Sequence, residues 1–422
     1  MNRKYLRKFT DSRFDNFQFG EKVERQPYFY DGEVTMNLVD LERNILSGKG
    51  TAFEKLLFHA FDMVEAIHRV DFNSKYTFHS FTPKARNIVS LKVLIVYEGK
   101  VYSFHPLTNN IYSTANTFFH ETSHNPMLLI VSDNRMTQYY YGEFNQMLSK
   151  LNVGHALFNV EYALDHIQEL RDYKQEVYVK SDSGNFTDDP NVSITVAVEI
   201  QLNGTNMSRQ LNAPSDPIFV EKIVEVASIP QLPSVFKGLE RDSFRRRSSD
   251  QRKDGDVIFY RQLPEKVFQR LLEKVAMLLE GIPMKLYLVL NDIENWKPGY
   301  YMLHKNRLKY LSETQTSHEH IYIMKEYQTY TNLQGFNLWT FLTIEDSDTV
   351  HNHTPQFIQM GMIMQFISVF MATEGYAVRC LKNYDDPYIK SRTFMGDNEV
   401  IGYSSVIIPN HNHSISVQVN NA

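Results

Sequence analysis

The ten residues "SFRRRSSDQR" (243–252) concentrate four arginines and three serines in a chain whose formal net charge is −5. A guanidinium is a planar fork that gives paired, charge-assisted hydrogen bonds to phosphate oxygens. Neighbouring serine hydroxyls can donate to the oxygens left over. Arg245, Arg246, Arg247, Ser248, Ser249 and Arg252 are therefore the candidate holders of one phosphate. An acidic chain with a single cationic knot is unlike a nucleic-acid binder that works through its whole surface. Read by itself, a charge run is a solvated turn more often than a ligand site.

Other residues invite other chemistry. "FFHETSHNP" (118–126) holds His120-Glu121-x-x-His124, formally a zinc-hydrolase pattern, with Glu143 nineteen residues further on. Asn125-Pro126 would end any helix directly after His124, so no metal site is assigned. "MKEYQTYTN" (324–332) contains Lys325, Tyr327 and Tyr330. A tyrosine serves as a base near neutral pH only where a cation lowers its pKa from about 10. By residue type alone this stretch is equally a polar amphipathic segment. His351, His353, His411 and His413 stand in polar, loop-like sequence and read as surface residues. No Gly-x-Gly-x-x-Gly loop occurs, so a Rossmann dinucleotide site has no support.

The elements that must position these groups repeat. Helix-period segments 51–67 and 264–281 each precede a strand–turn–strand block, 90–113 and 283–312. Buried strands follow at 126–133 and 338–346, then long apolar helices at 146–167 and 356–378, each with a glycine (Gly154, Gly361) near its start. Closing strands come at 188–202 and 396–408. Five blocks in one order imply two copies of an α+β domain. The expected division is an arm (1–30), a first domain (31–210), a connector (211–235), a second domain (236–410) and a tail (411–422). The cationic knot occurs in the second copy only. Cys380 is the only cysteine, which excludes an internal disulfide and a zinc ribbon. The N-terminus lacks an apolar run, and 360–372 reads as too short to cross a bilayer, so a cytoplasmic protein is expected.

"RRSS" with Arg252 behind it, followed by "LPEKVFQRLLEKV", resembles the opening of the nitroreductase-like flavoenzymes. "GIPMKLYLVLNDIENWKPGYYMLHKNRLKYLS" and "YQTYTNLQGFNLWTFLTIED" are similar to blocks of the subgroup that oxidises azolines in thiazole/oxazole-modified peptides. The resemblance spans about 240–408 and makes the first copy a degenerate version of the same domain. It implies FMN, with Gly335 beside the cofactor. It also implies two tandem nitroreductase-like domains forming a pseudo-dimer, in place of the family's homodimer. Aligned on Gly335, Tyr330 takes the place of the subgroup's tyrosine, while Thr329 stands where its lysine belongs and Lys325 is the nearest substitute. Implied partners are an azoline-containing precursor peptide and a companion cyclodehydratase, with neither nucleic acid nor membrane. An NAD(P)H-dependent flavin reductase or nitroreductase, and a non-catalytic scaffold subunit of an azole-forming complex, are the alternative readings.

Overall fold

The computed structural model describes residues 32–71, 77–85, 88, 90–115, 125–167, 176–180, 192–200, 223–225, 232–246, 260–315, 319–324, 333–346, 353–410 and 416–418. Two antiparallel sheets account for most of its strands. The first combines β1 (Glu33–Asn37), β4 (Leu91–Tyr97), β5 (Lys100–His105), β6 (Asn110–Ala115), β7 (Met127–Asp133), β8 (Glu176–Lys180), β9 (Val192–Glu199) and β10 (Ile223–Glu225), in the order β1-β6-β5-β4-β7-β9-β8-β10. The second combines β11 (Lys285–Leu290), β12 (Gly299–His304), β13 (Arg307–Ser312), β14 (Leu338–Glu345), β15 (Tyr376–Leu381) and β16 (Glu399–Pro409), ordered β13-β12-β11-β14-β16-β15. The path β6-β5-β4-β7-β9-β8 of the first sheet thus recurs as β13-β12-β11-β14-β16-β15 in the second. The repeated blocks of the sequence are repeated strands in a repeated order.

Local signals explain the helices. After α1 (Leu38–Leu46), α2 (Ala52–Val64) starts at a capping box, with Thr51 and Glu54 satisfying each other's backbone amides. In the second half, α7 (Glu265–Leu279) buries Val267, Phe268, Leu271, Val275 and Leu278 along one stripe. It is preceded by the short helices α5 (Leu232–Phe236) and α6 (Arg241–Arg246). The short α3 (Arg135–Tyr141) leads through a 3-10 turn into α4 (Asn145–His166). The remaining helices are α8 (Glu319–Ile323), α9 (Thr354–Thr373) and α10 (Asp386–Thr393).

The two long helices, α4 and α9, are buried nearly all round and lie against each other. Their contact is reciprocal. A Cβ on Gly154 would lie 2.0 Å from the Ile358 carbonyl oxygen, and one on Gly361 would lie 2.2 Å from that of Leu151. Only glycine permits this approach. The polar residues of the helix pair find partners across the same seam. Gln365 Nε2 donates to the Phe81 carbonyl (3.3 Å) and to Asn159 Oδ1 (2.8 Å), which turns its Oε1 toward His155 Nδ1 (3.1 Å). His155 therefore carries its proton on Nδ1 and accepts from the Tyr403 hydroxyl at Nε2 (3.1 Å). All four side chains are buried, and the network pairs groups that would be costly if left alone.

Three segments do more than the sequence suggests. β10 lies in the stretch read as a connector yet extends the first sheet through β8. β17 (Ser416–Gln418), in the stretch read as a tail, pairs with β2 (Arg69–Asp71), which also pairs with β3 (Phe78–His79). Backbone groups of short polar segments need ladder partners as much as apolar ones do, and hydrophobic pattern does not report them. The third segment is α9, which runs beyond the apolar core of its sequence and reaches a length and composition able to cross a membrane. It is 89% buried within the protein.

Candidate functional site

The cationic segment begins as a helix. α6 carries Arg245 and the backbone of Arg246, and four contacts hold it to the N-terminal half. Phe244 is buried in an aromatic socket, with ring centroids 4.6 Å from Tyr162, 6.0 Å from Phe81 and 6.4 Å from Phe158. Arg241 donates from Nε (3.2 Å) and Nη2 (2.8 Å) to Oδ2 of Asp62 on α2. Arg69 of β2 donates to the Arg245 carbonyl at 3.1 Å, satisfying one of the carbonyls that a helix end leaves open. The Tyr162 hydroxyl donates to the Leu239 carbonyl at 3.3 Å, just ahead of the helix.

Asp62 is the centre of this dock. It is fully buried on α2, with His68 Nε2 3.3 Å from its Oδ1 and 2.9 Å from its own carbonyl oxygen. Both neighbours are acceptors, so Nε2 bears the proton. His68 lies flat on Phe81, with ring centroids 3.6 Å apart. Burial pushes its pKa down, against the pull of Asp62. His59, one turn before Asp62, is lowered from 6.5 to about 4, first by burial, with Asp62 opposing and Arg241, His166 and Lys55 adding to the fall.

A pH dependence follows. Between 6.5 and about 4 the unfolded chain protonates His59 while the folded chain does not. The unfolded state then binds more protons, so stability is lost as pH falls through that window. His68 acts in the same direction. Denaturant titrations across this range should show the fall, and His59→Gln should flatten it.

The far flank of the cationic segment is tied to the C-terminal half. Arg261 lies over the Tyr376 ring at 4.8 Å, and the Tyr376 hydroxyl donates to the Gln262 carbonyl at 2.8 Å. Asn337 Nδ2 donates to the carbonyls of Arg261 (2.7 Å) and Asp292 (3.0 Å). Asn337 is wholly buried, and its Oδ1 has no hydrogen-bond partner among the described residues. It follows the turn at Gly335, whose φ of +71° suits glycine. The structure therefore brings the Gln-Gly-Phe-Asn turn together with residues 261–262, which follow the cationic segment in the chain. α6 is held on one half, and residues 261–262 are held on the other.

Several sequence-predicted residues lie outside the described ones: Arg247, Ser248, Ser249, Arg252, Lys325, Thr329 and Tyr330, and also His120, Glu121 and His124. The same holds for His351, His411 and His413, whereas His353 is buried beside the start of α9 rather than on the surface. Burial lowers its pKa. Glu143 is exposed in the 3-10 turn. The helix that precedes the 325–330 stretch in the chain is held in place. In α8, buried Glu319 accepts from the hydroxyls of Tyr300 (2.7 Å) and Tyr388 (2.6 Å). Sequence reasoning missed Arg241, Asp62, Arg69 and His68. A signal was available: Asp62 is a lone carboxylate inside the apolar run "FHAFDMV", and Arg241 stands one helical turn before Arg245.

The chain matches no protein-family model and no curated protein. Among solved structures, it is similar over 97% of its length, and 96% of the other chain, to a protein of Anabaena variabilis provisionally named a nitroreductase. That match has a TM-score of 0.64 and 11% identity, and it gives the chain a mixed helix-and-sheet, nitroreductase-like fold. Two partial likenesses are weaker. One is to the E. coli microcin synthetase McbBCD complex with truncated pro-MccB17 bound: TM-score 0.27, 13% identity, 36% of this chain and 66% of that one. The other is to a mutant of the FMN- and NADPH-dependent nitroreductase NfnB of a Sphigopyxis strain: TM-score 0.25, 12% identity, 41% of this chain and 88% of that one.

Proposed function

We propose that this chain is an FMN-dependent oxidoreductase of nitroreductase type that dehydrogenates thiazolines or oxazolines in a ribosomally made peptide. Its two halves act as a pseudo-dimer around one cofactor, inside the cytoplasm and alongside a cyclodehydratase that makes the rings. The observation that carries the reading is the dock of α6. The N-terminal half grips α6, the helix that opens the cationic segment, through Asp62 and Arg69, which supports a role for that segment between the halves.

The donor chemistry fits the cofactor. Arg245 and Arg246, continued by Arg247, Ser248, Ser249 and Arg252, would hold the phosphate. The buried Asn337 Oδ1, without a hydrogen-bond partner among the described residues, offers an acceptor beside residue 261. FMN, when bound, supplies the hydride-accepting chemistry that no side chain has. Tyr330 would take the proton from the ring carbon, with Lys325 as the cation that lowers its pKa, or as the base itself. The helix pair and the aromatic socket keep water from the seam.

The test is direct. Purified protein should be yellow with one flavin per chain, and an azoline-bearing peptide should lose two hydrogens per ring by mass spectrometry. Arg247→Ala should lose most of the flavin while the circular dichroism stays unchanged. Tyr330→Phe should keep the flavin and turn over roughly a hundredfold more slowly, the lower end of what a general base supplies. Flavin with NAD(P)H-driven reductase activity and an unchanged peptide mass would make the protein a reductase, and colourless protein would make it a scaffold.

A further inference from the structure

Two separate pieces of the second half rest on one small sheet of the first. α6 opens that half, and β17 follows its long strand β16. In the order β17-β2-β3, β2 lies in the middle, so its backbone is paired on both sides. Arg69 of β2 stands opposite His79 of β3 on one side and Gln418 of β17 on the other. The Arg69 side chain is buried, and its Nη1 donates to the Arg245 carbonyl at 3.1 Å.

The residues around Arg69 tie the same sheet to the rest of the dock. The His68 amide donates to the His79 carbonyl at 2.8 Å, while the His68 ring stands against Asp62, the carboxylate that Arg241 grips. Beyond β3, the Phe81 ring is stacked on His68 and lies 6.0 Å from the ring of Phe244, and its carbonyl accepts from Gln365 on α9.

Arg69 couples the two pieces. An arginine side chain samples many rotamers, so a single aimed hydrogen bond needs a fixed backbone behind it. β3 supplies one ladder to that backbone and β17 the other; with β17 away, β2 is flanked on one side only. The pairing of β17 with β2 spans three residues. Pairings of that length open at free energies well below that of global unfolding. α6 has six residues, too few to persist as a helix without tertiary contacts. Loss of the Arg69 contact is therefore felt at Arg245, the end from which the cationic segment continues.

We infer that β17 is a strap on α6. While it pairs with β2 it holds Arg69 against the Arg245 carbonyl, and when it opens the end of α6 loosens. Arg69 is thus a positioning residue, and the strand behind it comes from the far end of the chain. That this opening lets the phosphate of FMN in and out rests on the function proposed above; the coupling of β17 to α6 does not.

Hydrogen–deuterium exchange of the full-length protein reads the coupling with no ligand present. Two variants act on the strap, Val417→Pro and Ser416→Pro/Gln418→Pro. Amides alternate in direction along a strand, so one of the two removes the N–H groups that face β2. Faster exchange of the β2 amides shows which variant has opened the strap. In that variant the amides of residues 243–246 should exchange roughly tenfold faster, the effect of losing one charge-assisted hydrogen bond, while those of α7 stay unchanged. Arg69→Ala should give the same rise, Arg69→Lys a smaller one, and Arg69→Ala combined with the opened strap nothing further. Neither variant releasing β2, or β2 released with residues 243–246 unmoved, overturns the inference, as does full additivity with Arg69→Ala. Loss of added FMN, followed by the fluorescence of free flavin, should quicken together with α6 exchange. A loosened α6 in protein that takes up no FMN removes the cofactor reading and leaves the strap. FMN that leaves a loosened α6 at the wild-type rate removes only the strap's part in cofactor exchange.

Discussion

Gly361→Ala should cost on the order of 4 kcal/mol or more, the largest single-methyl effect expected in this chain. The new Cβ would stand 2.2 Å from the Leu151 carbonyl oxygen and 2.9 Å from the Cα of Gly154. Both obstacles are helix backbone, which cannot turn aside as a side chain does. Relief requires α4 and α9 to separate by about 1 Å along a seam packed on every side, which opens voids elsewhere. Gly154→Ala should behave alike, because its Cβ meets the Ile358 carbonyl at 2.0 Å. Gly402→Ala is the control. There the obstacle is the thioether of Met360, with Sδ at 2.3 Å, a flexible group that can repack at smaller cost. Urea unfolding of the three variants should rank Gly361 and Gly154 well below Gly402. Equal small losses would mean that the helix contact is softer than its geometry.

Arg241→Ala should cost about 3 kcal/mol and, on the function proposed above, release flavin. The loss does not come from the arginine, whose side chain is 44% exposed, but from Asp62, which is left with no cation. A carboxylate without solvent access has then only neutral His68 beside it. The double variant Arg241→Ala/Asp62→Asn should regain most of the stability, since no buried charge is stranded, and the pair should be strongly non-additive. Flavin retention should stay low in the double variant, because α6 has lost its tether to the N-terminal half. Recovery of both properties together would show that the ion pair serves the fold alone and does not position the cationic segment.

Much of the architecture was legible because it is written in local periodicity. The period of α2 and α7, the apolar runs of β7 and β14, and the twin glycines Gly154 and Gly361 are visible without tertiary contacts. Their repetition in one order announced two similar sheets, and the strand orders match block for block. The candidate site was legible only in part. Arginine and serine types at 245–252 suggest a ligand chemistry, though 247–252 lie outside the described residues, and Gly335 marked a turn that does need positive φ. Nothing in those residues says what they lean on.

The amino-acid sequence by itself determined the elements, their doubling and the lone cationic segment, since each depends on neighbours within a few turns of chain. Tertiary structure decided the partnerships. Arg241 and Asp62 are 179 residues apart, and Gln365 and His155 are 210 apart. No period in the sequence links such positions, because burial and charge choose partners by distance in space.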